Sequence, residues 1–332
     1  MKSRICRILC SSLMLISSIG LFTFSQGNLP TYSNTGVAVH AAVVNHNYDR
    51  SIKLGVNFIA HHTQKSLLNS WDALALSRSP QGLSRNQKTF FYNSLKRQFK
   101  SLKGNYAATD FEKTVIGLTA IGRNPKHFEG QSLVNDVIRT ATKDGINGQA
   151  FGLIALSTNH YGKRSSVKIN ELIAKLLKSQ NASGGWSLSG NKSDLDITGM
   201  VLQALGMHQN VVGVQSAINK AVRMLKTEAF EKKTGGFLIK SHFTKKENAN
   251  AIASVVAGLA ACRIDPIKSF KGVNHVNPIS RLLLYQMKSG QFYWILKSHD
   301  GALNMSTQQS VYALEQYRFF KLNKGSIYDF SR

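Results

Sequence analysis

The sequence predicts an all-α protein, an α6/α6 toroid in which six helical hairpins close into one barrel-like domain. Apolar residues recur at helical spacing over almost the whole chain, helices of two kinds alternate, and one short motif repeats about every 50 residues. The alternation typical of β-strands is nearly absent. Repeats of this length indicate one supersecondary unit used several times, each copy burying its apolar face against the next.

The N-terminal region precedes the predicted fold. Lys2, Arg4 and Arg7 come before a short apolar stretch, and small residues near position 41 provide a cleavage site. We therefore expect an export signal of Gram-positive type at 1–41, a polar segment at 42–48 and the toroid domain at 49–332. An uncleaved membrane anchor is the alternative, although the apolar stretch is short for a bilayer. The protein is expected to be secreted and to stay at the cell envelope.

The charge of the chain indicates its partners. There are 42 Lys and Arg against 17 Asp and Glu, a net charge of +25. Such a surface attracts polyanions, and for an exported protein these are anionic wall polymers or a membrane surface. Specific nucleic-acid binding is not expected, because the lysines are dispersed and no binding motif is present. Cys262 is the only cysteine after the signal, and its apolar surroundings predict a buried, inert thiol.

The twelve predicted helices fall into two groups. The odd-numbered ones are longer and rich in lysine, whereas the even-numbered ones are small and apolar on nearly every face and must be surrounded by protein. We therefore expect an outer and an inner ring of six. No Pro/Ser-rich linker divides the chain, which favours a single domain. The predicted ranges are 50–63, 69–78, 87–102, 110–121, 131–142, 147–157, 165–179, 195–207, 213–229, 249–262, 276–287 and 306–321.

The repeated motif, Q-x-x-x-G-x-aromatic, falls after an outer helix and before an inner one. Its glycine turns the chain, and its aromatic residue can fill the gap between neighbouring hairpins, so we interpret the motif as structural. A looser copy runs from Gln98 to Tyr106. The three clear copies are Gln180, Gly184 and Trp186; Glu231, Gly235 and Phe237; and Gln286, Gly290 and Phe292.

Four segments carry a family resemblance, at 109–122, 145–156, 184–200 and 306–314. They resemble the terpenoid cyclase/protein prenyltransferase superfamily, with its prenyltransferase/squalene oxidase repeats. The sequence is more similar to exported Gram-positive surface proteins that also resemble the cobalamin carriers intrinsic factor and transcobalamin. Asn250 and Gln308 stand where that group usually has Glu. The resemblance implies the toroid but not one activity, because the superfamily contains cyclases, transferases and binding proteins.

The candidate site lies where the inner helices begin. Parallel inner helices bring their N-termini to one mouth, where free N–H groups and helix dipoles favour acceptor groups. Two interpretations stay open for the polar residues there: helix capping alone, or a rim that faces a ligand. The residues expected to bind a ligand are Asp72, Asp110, Glu112, Asn147, Asp194, Asp196, Asn250 and Gln308.

The leading functional prediction is a non-catalytic toroid that binds a ligand or partner at this mouth. A corrinoid is the ligand class that the resemblance implies, and an anionic wall component is the other candidate. The alternative is a terpenoid cyclase-like enzyme, since Asp194 to Thr198 resembles the D-x-D-D-T motif of class II cyclases, with Asp196 as general acid. Ile197 replaces one acid of that motif. A third interpretation is that the chain is a basic, adhesive surface protein.

Other chemistries find less support. A protein prenyltransferase needs a zinc site, but Cys262 has no Asp two residues before it, and the adjacent His61 and His62 point about 100° apart on a helix. We therefore expect no metal site. A glycan hydrolase or lyase would use two carboxylates such as Glu112 and Asp196, and the sequence spacing does not favour that pair. Whether the protein is an enzyme is left open, with binding favoured.

Overall fold

The computed structural model describes residues 48–62, 69–240 and 245–331. The expected export signal and most of the polar segment after it, residues 1–47, lie outside these ranges. Thirteen α-helices occur in the described residues: α1 (Tyr48–His62), α2 (Ser70–Arg78), α3 (Arg85–Ser101), α4 (Ala108–Ala120), α5 (Leu133–Thr140), α6 (Gly145–Leu156), α7 (Lys163–Lys178), α8 (Leu195–Gly206), α9 (Val214–Met224), α10 (Ala249–Ala261), α11 (Pro266–Ser269), α12 (Pro278–Leu283) and α13 (Leu303–Lys321).

Six of these helices form a closed inner ring. Going round the ring, α2 packs against α4, then follow α6, α8, α10 and α13, and α13 packs back against α2. Neighbouring inner helices run parallel: Gly199 near the start of α8 lies beside Ser254, and Gly206 at its end lies beside Ala261 of α10. The outer ring consists of α1, α3, α5, α7, α9 and α12. The predicted α6/α6 toroid is confirmed.

The helix boundaries differ from the prediction mainly in the last hairpin. The segment predicted as one helix at 276–287 forms only α12, because Asn277 caps its N-terminus through Ser280 N at 2.9 Å and the repeat motif follows soon after its end. The additional short helix α11 begins where Asp265 accepts from Ile267 N at 2.9 Å. The last inner helix starts at Leu303, three residues earlier than expected.

The glutamine of the repeat motif links successive hairpins. Gln180 Nε2 donates to Gly184 O at 2.7 Å and to Ala217 O of α9 at 2.8 Å. Gln286 Nε2 donates to Ser51 O of α1 at 2.9 Å, and Ser51 Oγ donates to Gln286 Oε1 at 2.7 Å. The last copy of the motif therefore joins the end of the ring to its beginning.

The middle copy of the motif is held by different hydrogen bonds. Glu231 replaces the glutamine, and a carboxylate has no hydrogen to donate to the neighbouring carbonyls. Glu247 instead connects this copy to the next hairpin. It accepts from Thr234 Oγ1 of the motif at 2.8 Å, from Tyr285 OH at 3.2 Å and from Arg281 of α12. The aromatic side chains of all three copies, Trp186, Phe237 and Phe292, are fully buried.

The segment after α13 closes one end of the barrel. It returns across the C-terminal ends of the inner helices, where Tyr328 is buried and its hydroxyl donates to Gln203 Oε1 at 3.0 Å. Arg78 donates to the carbonyl oxygens of Ile327 and Asp329. The sequence predicts no helix for this tail, and the contacts that hold it to the barrel, with Arg78, Thr158 and Gln203, come from distant parts of the chain.

None of the helices in the described ranges combines the length and apolarity needed to cross a membrane.

The motif glycine at 184 is expected to be irreplaceable. Gly184 has φ +105°, and a β-carbon there would lie 2.6 Å from Lys220 O of α9. Gly184→Ala should therefore lower the free energy of unfolding by about 3 kcal/mol. Gly190→Ala is the matched control, since Gly190 also has positive φ but faces open space, and it should cost about 1 kcal/mol. Urea unfolding measures both, and equal losses would show that this close approach does not hold the hairpins together.

Candidate functional site

A small cavity lies on the axis of the barrel below the N-termini of the inner helices. Its volume is about 40 Å³, close to the space that one water molecule occupies. Tyr328 of the C-terminal tail contributes to its lining, so the tail limits its depth. The other lining residues come from α6, α8, α10 and α13, among them Asn147, Phe151, Asp196, Met200, Ser254, Gln309 and Tyr312.

Three aromatic residues, Phe151, Tyr312 and Tyr328, line this cavity. The ring centroid of Trp71 lies 5.5 Å from that of Phe151 and 5.9 Å from that of Tyr312. Burial raises the pKa of the Tyr312 hydroxyl, and the charge of Asp196, which lines the same cavity, raises it further. The centre of the toroid is therefore an aromatic enclosure with one acid at its edge.

Asp196 is the acid in this enclosure. It is the second residue of α8, and it is surrounded by protein although part of its surface faces the cavity. Burial raises the pKa of its carboxyl group, the neighbouring charge of Asp194 raises it further, and no hydrogen bond lowers it. A carboxyl group with a raised pKa keeps its proton at higher pH, so Asp196 can both donate and accept a hydrogen bond.

Several buried polar groups near the mouth have no hydrogen-bond partner among the described residues. Each belongs to the first two turns of an inner helix. The unpaired atoms are both carboxyl oxygens of Glu112, both amide atoms of Asn147, and the amide oxygens of Gln149, Asn250 and Gln309. Glu112 is 0 % exposed and Asn147 1 %. A buried polar group without a partner costs about 1–3 kcal/mol, so five such residues at one end of a fold require an explanation.

Glu112 is the most deeply buried of these groups. One of its carboxyl oxygens lies against α6, 3.1 Å from where a β-carbon on Gly152 would be. Burial raises the pKa of Glu112 well above its ordinary value; the charges of Asp144 and Asp110 raise it further, while Lys113 opposes them. A neutral, protonated Glu112 is therefore favoured in the folded protein.

Three of the eight predicted ligand-binding residues, Asp194, Asp110 and Asp72, contribute to helix caps. Asp194 Oδ1 accepts from Ile197 N at 2.9 Å, at the start of α8. Asp110 Oδ2 accepts from Ala107 N at 3.0 Å, and its other oxygen lies 3.6 Å from Lys113 Nζ. The capping interpretation describes these three residues, which do not line the cavity.

Asp72 also pairs with another predicted residue, Gln308, where the ring closes. Gln308 Nε2 of α13 donates to Asp72 Oδ1 of α2 at 2.8 Å, and Asp72 Oδ2 accepts from Asn69 N at 3.2 Å. Burial raises the pKa of Asp72 to about 6. Of the remaining four, Asn147 and Asp196 face the cavity, while Glu112 and Asn250 keep unpaired atoms. The ligand-binding role of all these residues stays a prediction.

Sequence reasoning missed much of the cavity wall. Ser254, Gln309, Tyr312 and Tyr328 were not among the predicted site residues, nor was Trp71, whose ring contacts Phe151 and Tyr312. The helical register contained part of the signal: Asn147 is followed at four and seven residues by Phe151 and Ile154, and Asp196 in the same way by Met200 and Gln203. Extending each polar N-terminal residue along its own helix face would have found these positions.

The described residues contain no cluster suited to a metal ion, and Cys262 is buried among them. No group of three or more His, Cys, Asp or Glu side chains there could hold a metal ion. His61 Nδ1 lies 2.7 Å from Asn57 O of its own helix. Cys262 is buried, its sulfur lies 3.3 Å from Leu202 O, and burial raises the pKa of the thiol.

Solved structures share this architecture. The type II terpene cyclase MstE from Scytonema matches 82% of this chain and 98% of its own, with 11% identity and a TM-score of 0.54. A substituted form of MstE with the substrate geranylgeranyl dihydroxybenzoate matches at the same TM-score, with 11% identity over 83% of this chain and 97% of its own. An unsaturated glucuronyl hydrolase variant from Streptococcus agalactiae matches 81% of this chain and 91% of its own, with 10% identity and a TM-score of 0.55.

These similarities establish the class of fold, an α/α toroid. At 10–12% identity they show the fold alone and do not distinguish cyclisation, glycan hydrolysis or binding. No protein-family model matches the chain, and no curated protein matches it by sequence.

Glu112 is expected to make stability depend on pH. Its pKa is higher in the folded chain than in the unfolded chain, so the folded state holds the proton more tightly and loses stability as pH rises above about 4.5. Glu112→Gln removes this titration. Its melting temperature should increasingly exceed that of the wild type as pH rises from about 4.5 through the raised pKa. The exposed Glu228→Gln controls for the lost charge, and a difference that does not change with pH would contradict the buried placement of Glu112.

Proposed function

We propose that this toroid binds, without converting it, a small molecule rich in amide and hydroxyl groups at its inner-helix mouth. The unpaired buried polar atoms of Asn147 and Gln309, both of which line the cavity, carry the proposal. These groups lose hydrogen bonds to water on folding and gain none within the described protein. A ligand that pairs with them would regain those bonds, and the energy would contribute to binding.

The chemistry of the mouth selects the type of ligand. Amides and protonated carboxyl groups each donate and accept hydrogen bonds, which suits primary amides and hydroxyls. An anion is disfavoured, because Asp72, Glu112 and Asp196 all belong to this end of the inner ring and would repel it whenever they ionise. We therefore do not propose an anionic wall component for the mouth.

The size of the cavity determines how such a ligand would sit. About 40 Å³ admits one small group, whereas pockets that enclose a ligand measure about 300–1,000 Å³. The body of the ligand must then lie across the mouth, with one terminal group inserted toward Asn147 and Asp196. A corrinoid, a large planar ring bearing primary amide side chains, meets these requirements. The resemblance of the repeats to cobalamin carriers supports the same class.

Binding is tested with cyanocobalamin and the full chain. We expect the visible absorbance of the corrinoid to co-elute with the protein on gel filtration. Asn147→Leu should weaken binding about tenfold or more, because it removes both unpaired amide atoms. The same variant should raise the free energy of unfolding by about 1 kcal/mol, since its folded state no longer buries an unpaired polar group. Asn170→Leu, on the exposed face of α7, is the matched control.

Two results would contradict this proposal. A colourless wild-type protein peak would exclude the corrinoid, and undiminished binding by Asn147→Leu would exclude the mouth. Asp196→Asn tests whether binding requires the proton on the Asp196 carboxyl group. The asparagine amide donates and accepts hydrogen bonds at every pH, so this variant should bind corrinoid at least as well as the wild type at high pH.

A second candidate function is a cyclase-like reaction with Asp196 as general acid. The observation that favours it is the aromatic enclosure around this acid, since rings stabilise carbocations and a raised pKa keeps the proton available. The volume argues against it, because a polyprenyl chain does not fit within about 40 Å³ while Tyr328 contributes to the lining.

The cyclase alternative is tested with geranylgeranyl dihydroxybenzoate, the substrate named for the MstE structure. Cyclisation gives an isomer of unchanged mass and altered retention, which chromatography coupled to mass spectrometry detects. We expect no isomer. A product that forms with the wild type and disappears in Asp196→Asn would establish the enzyme and overturn the non-catalytic proposal.

A further inference from the structure

A long groove lies at the end of the barrel opposite the mouth. Two cavities of about 770 Å³ and 520 Å³ adjoin there, and both are lined by Asn159, His160 and Tyr161 of the loop between α6 and α7. Residues at or just after the C-termini of α2, α4, α6 and α8 line their walls, and the C-terminal tail forms one side. We call this feature the C-terminal groove. It shares no lining residue with the mouth cavity.

The C-terminal groove is strongly basic. Arg78, Lys88, Arg123 and Lys126 line its larger part, and no carboxylate is among the described residues there. The smaller part adds Lys163 and Arg263 and contains one acid, Asp329, whose Oδ1 accepts from Ser331 N and Oγ at 3.0 Å and 2.6 Å.

Three of these cations are available to a ligand. Lys88 and Arg123 are exposed and Lys126 is half-buried, and none of the three forms an ion pair with a described residue. Lys126 Nζ lies 5.9 Å from the ring centroid of Tyr161, and Arg123 lies 5.3 Å from that of Tyr92. These ring contacts position the charged groups and leave their N–H donors able to bind anions.

Nearby acids do not neutralise the C-terminal groove. Tyr92, under Arg123, donates to Glu129 Oε1 at 3.3 Å, but Lys96 and Lys100 engage the same carboxylate at 2.9 Å and 3.0 Å. Arg78 has a structural task, because it donates to the tail and lies 3.5 Å from the ring centroid of Phe330. The excess positive charge therefore belongs to Lys88, Arg123, Lys126, Lys163 and Arg263.

We propose that the C-terminal groove binds a linear polyanion carrying phosphate or carboxylate groups along its chain. Cations that are spread over two adjoining cavities suit a repeating chain of charges better than a single compact anion. Arginine adds bidentate recognition of either group. The net charge of +25 attracts such polymers to the whole surface, and the groove gives them one defined location.

The C-terminal groove and the mouth would then be two binding sites at opposite ends of one barrel. A toroid held by its C-terminal groove on an envelope polymer would present its mouth away from that polymer. Polyanion binding does not depend on the ligand proposed for the mouth, so failure of one proposal leaves the other standing.

The test compares two triple variants that remove equal charge. Lys88→Gln/Arg123→Gln/Lys126→Gln alters the C-terminal groove, and Lys175→Gln/Lys178→Gln/Lys220→Gln alters exposed positions on α7 and α9. Titration calorimetry with inorganic polyphosphate and with polygalacturonate, at about 50 and about 200 mM salt, measures affinity and its salt dependence. Circular dichroism verifies folding, and Lys88→Gln alone serves as a milder groove variant.

We expect the groove triple variant to lose about tenfold or more in affinity and to show a weaker salt dependence, while the control triple loses no more than about threefold. Preference for polyphosphate would identify a phosphate-bearing polymer, and preference for polygalacturonate a carboxylate-bearing one. Equal losses in both triple variants would show that binding follows diffuse surface charge and would overturn the proposal. Absence of binding to either polymer would overturn it as well.

Discussion

Closure of the inner ring is the constraint on which the rest of this structure depends. Each apolar inner helix is buried only when it has an inner neighbour on both sides, so an open ring would leave two of them exposed. The last joint is made by α13 against α2 and by the paired hydrogen bonds of Gln286 and Ser51 between the last motif and α1. These contacts give the mouth a continuous rim and give the opposite end a groove.

The two ends of the ring differ in chemistry because all inner helices point the same way. Residues that accept hydrogen bonds lie at their N-termini, and some of these, such as Asp194, cap the helices. Others, such as Glu112 and Asn147, are buried without partners. Cations gather at the C-terminal end, where helix dipoles also favour them. One parallel arrangement thus produces a hydrogen-bonding mouth and a basic groove on the same domain.

The sequence predicted the fold better than the site. Helical periodicity and the alternation of lysine-rich with small apolar helices follow from local burial, and both rings were predicted from them. The position of Gln308 against Asp72, the approach of Trp71 to Phe151 and the entry of Tyr328 depend on which helices meet across the ring. Spacing along the chain carries no information on such distant contacts. Asn147 and Asp196 were found because helix starts can be recognised from sequence.

The long-range contacts that complete the barrel also constrain the rate at which this fold can form. Tyr328 follows the last inner helix in the sequence, yet it lies at the centre of the barrel, and Gln286 of the last motif copy pairs with Ser51 of α1. Ser51 and Gln286 are 235 residues apart and Arg78 and Ile327 are 249 residues apart, so completing the ring joins opposite ends of the described part of the chain. Contacts between residues far apart in the sequence form slowly, so the toroid is expected to fold more slowly than a helical bundle of similar size that is held by local contacts.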